Sequence, residues 1–453
     1  MMSLSVLLRF LVGRREAILS VASDRRALAV GFLFVLSAGF AREYDAEFLV
    51  REPWHVLLPL GVSLAASFLL FTLLFLMARR APGAKPRFFS CYVAFLRVFW
   101  MTAPLAWLYA IPYERFLGAA DAVSANLWTL ALVAAWRVIL MTRATAVLFD
   151  TSAFATAWPI MLYSDIAALV ASSFVPVPLL ALMGGIDVPP AESVMAGAAL
   201  TVLALGVLTL PIWLIGAGVV AANRSLQRDI PAVLNIAPPP PLSTDQVAHG
   251  SITAADAAHS PFRSDQPGRT LLHLGWTSVA VWAVILPLTQ PEQARRYEVE
   301  QAIEAGNVTA AIELLSFRPA GEFPPHWRPP PRSLERGDDD LRLNLTEASL
   351  ESSADWVREY YVGQLVRYVE YLGWVYQDED AGRLVRAVDI LSRAPEAREM
   401  LRRRGLHLAR IAYRDRERRQ DVAAALDQLA EMADIDVHYR QVSTDSAGSQ
   451  RAE

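Results

Sequence analysis

Seven apolar stretches divide roughly the first 290 residues of this chain, and basic residues cluster in alternate loops between them. A spanning helix needs about 20 apolar residues, because each residue rises about 1.5 Å across a hydrocarbon core about 30 Å thick. Six stretches reach that length: His55–Ala78, Phe88–Pro112, Leu127–Phe149, Pro159–Ile186, Met195–Ala222 and Thr270–Gln290. The seventh, Ala27–Ala41, is short, and either spans a locally thinned bilayer or fails to span. Backbone groups in hydrocarbon must be bonded within their own segment, so the spans are helices. The pattern predicts an all-α fold: a polytopic transmembrane helical bundle of six or seven spans plus a small soluble helical C-terminal domain.

Loop charge orients the bundle. The leader carries Arg9, Arg14, Arg15, Arg25 and Arg26, and the short connection after the second stretch carries Arg79, Arg80, Lys85 and Arg87. The loop Arg42–Trp54 is net acidic, and Asp187–Val194 has no basic residue. Basic loops stay in the cytoplasm. The N-terminus is therefore expected inside and everything after Gln290 outside. An odd number of crossings follows Arg79–Arg87 whether or not Ala27–Ala41 spans. Pro176 and Pro178 mark the one place that would reverse this, since a re-entrant Pro159–Ile186 returns the tail to the cytoplasm.

Composition narrows the class further. Charged residues make up 19% of the chain, against about 25% in an ordinary soluble domain, and the deficit lies before residue 290. A net charge of −4 gives no bulk attraction to nucleic acid. The single cysteine, Cys91, excludes an intrachain disulfide or a cysteine-based zinc site. Lys85 is the only lysine, which reads as a bias toward Arg codons in a bacterial genome. The expected setting is a multi-pass cytoplasmic-membrane protein with the lipid bilayer as its first partner. Leu4, Val6, Leu7 and Phe10 precede Arg14 and Arg15, the reverse of a cleavable signal. The leader, 1–26, is expected either to lie on the membrane surface as an amphipathic helix or to hang loosely before the first span.

The expected domains follow in order. The membrane domain is 27–222, with spans at about 27–41, 55–78, 88–112, 127–149, 159–186 and 195–222. A flexible cytoplasmic linker, 223–269, contains Pro238–Pro241 and leads to the last span, 270–290. An extracytoplasmic helical domain, 291–442, contains a Pro-rich linker at 318–340, and 443–453 reads as a disordered end. Within the tail, Glu292–Ala305 is a candidate helix stopped by Gly306, and Asn307 caps Val308–Phe317. Asp355 opens a long helix whose Trp356, Tyr360, Tyr361 and Trp374 form an aromatic face that needs a partner surface. Further helices are expected from Pro395 to Arg414 and over Val422–Ala433. The Pro-rich string before the long helix is either a recognition segment or a spacer packed on the tail.

Three intramembrane charges are the candidate site. By helical rise, Arg97 lies about 13 Å from the inner face, Arg137 about 15 Å from the outer face and Asp165 about 9 Å from the inner face. Such charges usually face partners. One reading is an Arg–Asp pair tying helices together, with the extra arginine on backbone carbonyls. The other is a polar cavity that attracts a small anion or a lipid headgroup. Glu43, Asp45 and Glu47 could hold a divalent cation, but a solvated loop is the commoner outcome, so no metal site and no cofactor are assigned. Metalloprotease, nucleophile-elbow and phosphate-loop motifs are absent. The expected function is a non-enzymatic binding, assembly or sensing protein whose helical tail docks a protein partner. The alternative is a transporter or channel for a small anion or lipid.

Overall fold

A computed structural model describes residues 4–77, 87–174, 189–223, 267–331, 338–375, 380–404 and 420–434. Most of the linker 223–269, the 443–453 end, the Arg79–Lys85 loop, Pro176 and Pro178 lie outside the described residues. Among those described, all regular structure is helical. The membrane part contains α1 (Leu4–Leu11), α2 (Arg15–Ser23), α3 (Ala27–Glu43), α4 (Trp54–Met77), α5 (Phe88–Trp100), a 3-10 segment over Ala103–Ala110, α6 (Ala119–Leu148), α7 (Ala153–Ser173) and α8 (Pro190–Ala222). Then come α9 (Pro267–Glu304), α10 (Val308–Ser316), α11 (Asp339–Ser349), α12 (Asp355–Val375), α13 (Ala381–Ser392), α14 (Pro395–Arg403) and α15 (Gln420–Met432). Six segments are long and apolar enough to cross a membrane: α4, 88–115, α6, α7, α8 and α9. The protein is a multi-pass membrane protein with an all-helical bundle. The chain divides into two compact units, one of residues 1–177 and 194–290, the other of 178–193 and 291–453.

In the first unit, α3 packs against α4, α5 and the 3-10 segment. Its 17 residues reach only about 26 Å, and its buried side chains include Val30, Leu33, Phe34, Val35 and Ala41. A helix that is apolar on every side suits an interior position. Aromatic rings join α4 to α5: Phe71 meets Phe88, Tyr92 and Phe95 at centroid separations of 5.2, 5.6 and 5.4 Å. Each such pair contributes about 0.5–1.5 kcal/mol beyond burial. That matters here, because lipid tails are as apolar as the side chains and packing must hold the helices together. Outward-facing Leu205, Leu208, Leu214 and Ile215 on α8 are exposed, as a lipid-facing surface requires.

Two features differ from expectation. The leader does not dangle, because Leu7, Phe10, Ile18 and Val21 are buried in one core with Phe95, Phe99 and Leu140. Trp136 donates from Nε1 to the Leu11 carbonyl at 3.0 Å, and Arg143 from Nε to the Gly13 carbonyl at 3.4 Å. An amphipathic stripe has the same spacing whether it covers a bilayer or a protein. The 88–112 stretch is also not one regular helix. α5 ends at Trp100 and a 3-10 segment follows, because Pro104 has no N–H to bond the Trp100 carbonyl.

The second unit is helical with its own core. Gly306 has a φ of +74°, which favours glycine, and Asn307 accepts from the Ala310 N–H at 3.1 Å to cap α10. Asn307→Ala is expected to lower the tail's stability by about 1 kcal/mol, read as its thermal unfolding in the full chain. The expected last span, 270–290, and the expected helix Glu292–Ala305, stopped at Gly306, are one helix that runs from Pro267 to Glu304, through Pro287 and Pro291. Membrane helices tolerate proline where neighbours satisfy the freed carbonyls. α11 falls partly in the predicted 318–340 linker and extends beyond it. The Arg404–Arg414 end of the helix expected from Pro395 lies outside the described residues beyond Arg404.

Candidate functional site

Arg97, Arg137 and Asp165 each bond to a different neighbour. Arg97 leaves α5 and donates from Nη1 to the Ala22 carbonyl at 2.9 Å. Ala22 sits in the last turn of α2, where carbonyls lack a helical partner and the helix dipole favours a cation. Arg137 leaves α6 and donates from Nε to Thr102 Oγ1 at 3.1 Å, and its guanidinium carbon lies 4.8 Å from the Phe99 ring centroid. Thr102 itself donates to the Phe99 carbonyl at 2.7 Å and is 1% exposed. A cation over an aromatic face away from water is worth about 2 kcal/mol, so this contact suits a charge held in hydrocarbon.

Asp165, on α7, accepts from Thr209 Oγ1 of α8 at 3.0 Å. Gly206 permits the approach, since a Cβ there would lie 3.1 Å from Asp165 Oδ1 and 2.7 Å from Leu169 Cδ2. Among the described residues, no hydrogen bond or ion pair links either arginine to Asp165. The common depth read from the sequence therefore does not bring the three into one pair. Each charge instead ties its own helix to a neighbour: α5 to α2, α6 to the α5 terminus, and α7 to α8. Thr102, Thr209 and the Ala22 carbonyl could not be found from spacing, because each partner lies on a different helix.

The aromatic face of α12 is engaged by the chain itself. Trp356 donates from Nε1 to the Arg318 carbonyl at 3.1 Å, Tyr360 to the Pro329 carbonyl at 2.7 Å and Tyr361 to the Pro330 carbonyl at 2.9 Å. Phe323 stacks on Trp327 at 5.1 Å and meets Trp356 at 5.9 Å. Pro330 and Pro331 offer no N–H for a local turn, so the tyrosines bond the Pro329 and Pro330 carbonyls and the indole bonds that of Arg318. Tyr361 is fully buried, and burial pushes its hydroxyl well above the usual tyrosine range. The Pro-rich string is thus a packed spacer. The side chain of Trp374 lies outside the described residues.

A groove of about 620 Å³ lies elsewhere on the tail, between α10 and α11. Ile312, Glu313, Phe317, Glu347, Glu351 and Ser352 line it. Phe317 is 84% exposed, and among the described residues of this unit no other large apolar side chain is left exposed. Arg393 and Arg386 hydrogen-bond Glu347 at 2.8 and 2.7 Å and hold its carboxyl below its ordinary value. Sequence patterning missed this feature, because Phe317 looks like the last core position of its helix. Compared with known protein families, characterised proteins and solved structures, the chain matches none.

Proposed function

We propose that this is a non-enzymatic binding or assembly protein of a bacterial cytoplasmic membrane, with its N-terminus inside and its helical tail outside. The tail docks a protein segment in the α10–α11 groove. The carrying observation is Phe317, an exposed aromatic ring at a groove that also presents Glu313 and Glu351. That chemistry suits a partner segment with an apolar side chain flanked by Arg or Lys. The docking surface moves here from the α12 face, whose Trp356, Tyr360 and Tyr361 bond the Pro-rich spacer. The local bonding of Arg97, Arg137 and Asp165 supports a scaffold more than a path for solute. The ion pair of Glu192 with Arg328 supports the span map, which places the 187–194 loop and the tail on one side.

One variant tests both orientation and docking. Cys91 is buried, so a Ser353→Cys protein carries one accessible thiol on the lining of the same groove and keeps Phe317. A membrane-impermeant maleimide is expected to label it in intact cells. Labelling only after permeabilisation would place the tail inside. A photo-crosslinker attached through the same thiol is expected to give one discrete protein adduct, weakened by Glu313→Lys with Glu351→Lys. No adduct, or an adduct indifferent to those charge reversals, would reject docking at this groove.

A further inference from the structure

The turn between α3 and α4 carries a second constellation. Glu43 ends α3, Glu47 follows one helical turn later, and His55 lies in the first turn of α4. One ligand atom from each of the three lies within 4.8 Å of the other two. All three side chains are half-buried. The Glu47 N–H bonds the Glu43 carbonyl at 3.0 Å, so the two carboxylates share a face at a spacing where like charges repel. Arg42 lies to one side, its Nε 3.4 Å from Glu43 Oε1. A cation between the carboxylates would relieve their repulsion.

The turn is held firmly enough to be a site. Tyr44 donates from its hydroxyl to the Ala110 carbonyl at 3.1 Å, and its ring lies 5.3 Å from that of Trp282. The Tyr44 carbonyl accepts from Thr289 Oγ1 at 3.1 Å and from Gln290 Nε2 at 3.3 Å. Gly39 brings the start of α4 close, because a Cβ there would lie 3.0 Å from the Val56 carbonyl oxygen. That approach carries His55 to the end of α3.

Gln290 supplies an independent observation. It is 5% exposed and buried against the same turn, with Nε2 donating to the carbonyls of both Tyr44 and Glu47. Two acceptor carbonyls fix which end of the amide is nitrogen. Its Oε1 is buried and has no hydrogen-bond partner among the described residues. A buried amide oxygen without a donor is an oxygen available to a cation or its bound water.

We propose that Glu43, Glu47 and His55, with Gln290 beside them, form a divalent transition-metal site that clips α3 to α4. The imidazole selects the ion class. Calcium and magnesium prefer oxygen-only sets, whereas one histidine with carboxylates suits Zn²⁺ first and Mn²⁺ second. Bonds of about 2.0–2.2 Å place tetrahedral ligands roughly 3.5 Å apart, within reach of small rotations of these side chains.

The test uses the full chain purified in detergent, stripped with a chelator and titrated with Zn²⁺ by calorimetry. One equivalent is expected to bind. His55→Ala and the near-isosteric Glu43→Gln are each expected to weaken binding by at least about 100-fold, while Glu52→Gln, outside the cluster, leaves it unchanged. Absence of stoichiometric Zn²⁺ binding would overturn the proposal. So would unchanged affinity in a folded Glu43→Gln protein, or binding of Ca²⁺ in preference to Zn²⁺. If His55→Ala does not fold, Glu43→Gln and Glu47→Gln decide the matter.

Discussion

An Arg342→Ala protein is expected to lose about 3–5 kcal/mol of stability in its tail. Arg342 is fully buried on α11, with Nη1 3.4 Å from Asp339 Oδ1 and its guanidinium carbon 4.9 Å from the Tyr368 ring centroid. Burial pushes its pKa down, and Asp339 opposes that shift. Truncation would leave Asp339, itself 1% exposed, with the longer contact from Arg383 at 3.5 Å, and would open a cavity against Tyr368. Removing one partner of a buried pair costs more than the pair contributes, because the other charge stays desolvated. The double change Arg342→Met with Asp339→Asn is therefore expected to recover most of the loss. Thermal unfolding of the full chain, followed by protease sensitivity of the tail, checks both. A single variant as stable as wild type would show that the pair is solvated in practice.

The same pair explains why α11 was not legible in the sequence. Asp338, Asp339 and Asp340 read as a solvated linker end, since hydropathy scores each charge as if it faced water. Asp339 and Arg342 are a local i,i+3 pair, but the fold buries them against Tyr368 of α12, and no local pattern carries that burial. Segments whose partner is the chain itself at short range were legible: Asn307 caps α10, and Gly306 takes the left-handed turn before it. The long apolar helices were also legible, because bilayer thickness and backbone bonding leave few alternatives. Partners from distant helices were not. Arg97 and Arg137 could be placed at a depth, but the Ala22 carbonyl and Thr102 could not be assigned to them. His55 likewise looked like a span-edge residue until Gly39 allowed α4 to approach α3.

Small residues separate in the same way, and they carry the second large prediction. Gly31→Val is expected to destabilise the membrane unit by about 1–3 kcal/mol or more, seen as earlier heat-induced aggregation in detergent. A Cβ at Gly31 would lie 2.7 Å from Trp100 Cβ, 3.6 Å from the Trp100 carbonyl carbon and 3.7 Å from the Met101 nitrogen. Those atoms cannot swing away, so α3 and the end of α5 must part. Gly216 presents a different obstacle: a Cβ there would lie 1.9 Å from Trp158 Cε3, an atom of a side-chain ring. Gly216→Ala should therefore be rescued by Trp158→Leu, whereas shortening Trp100 leaves its Cβ in place and cannot rescue Gly31→Val. At Gly61 and Gly218 a Cβ would meet no atom within 4 Å. Alanine at either should be neutral or stabilising by up to about 1 kcal/mol, because glycine is the poorer helix former. Equal loss at Gly31, Gly61 and Gly218 would mean that backbone freedom, and not the α3–α5 contact, sets the stability of this bundle.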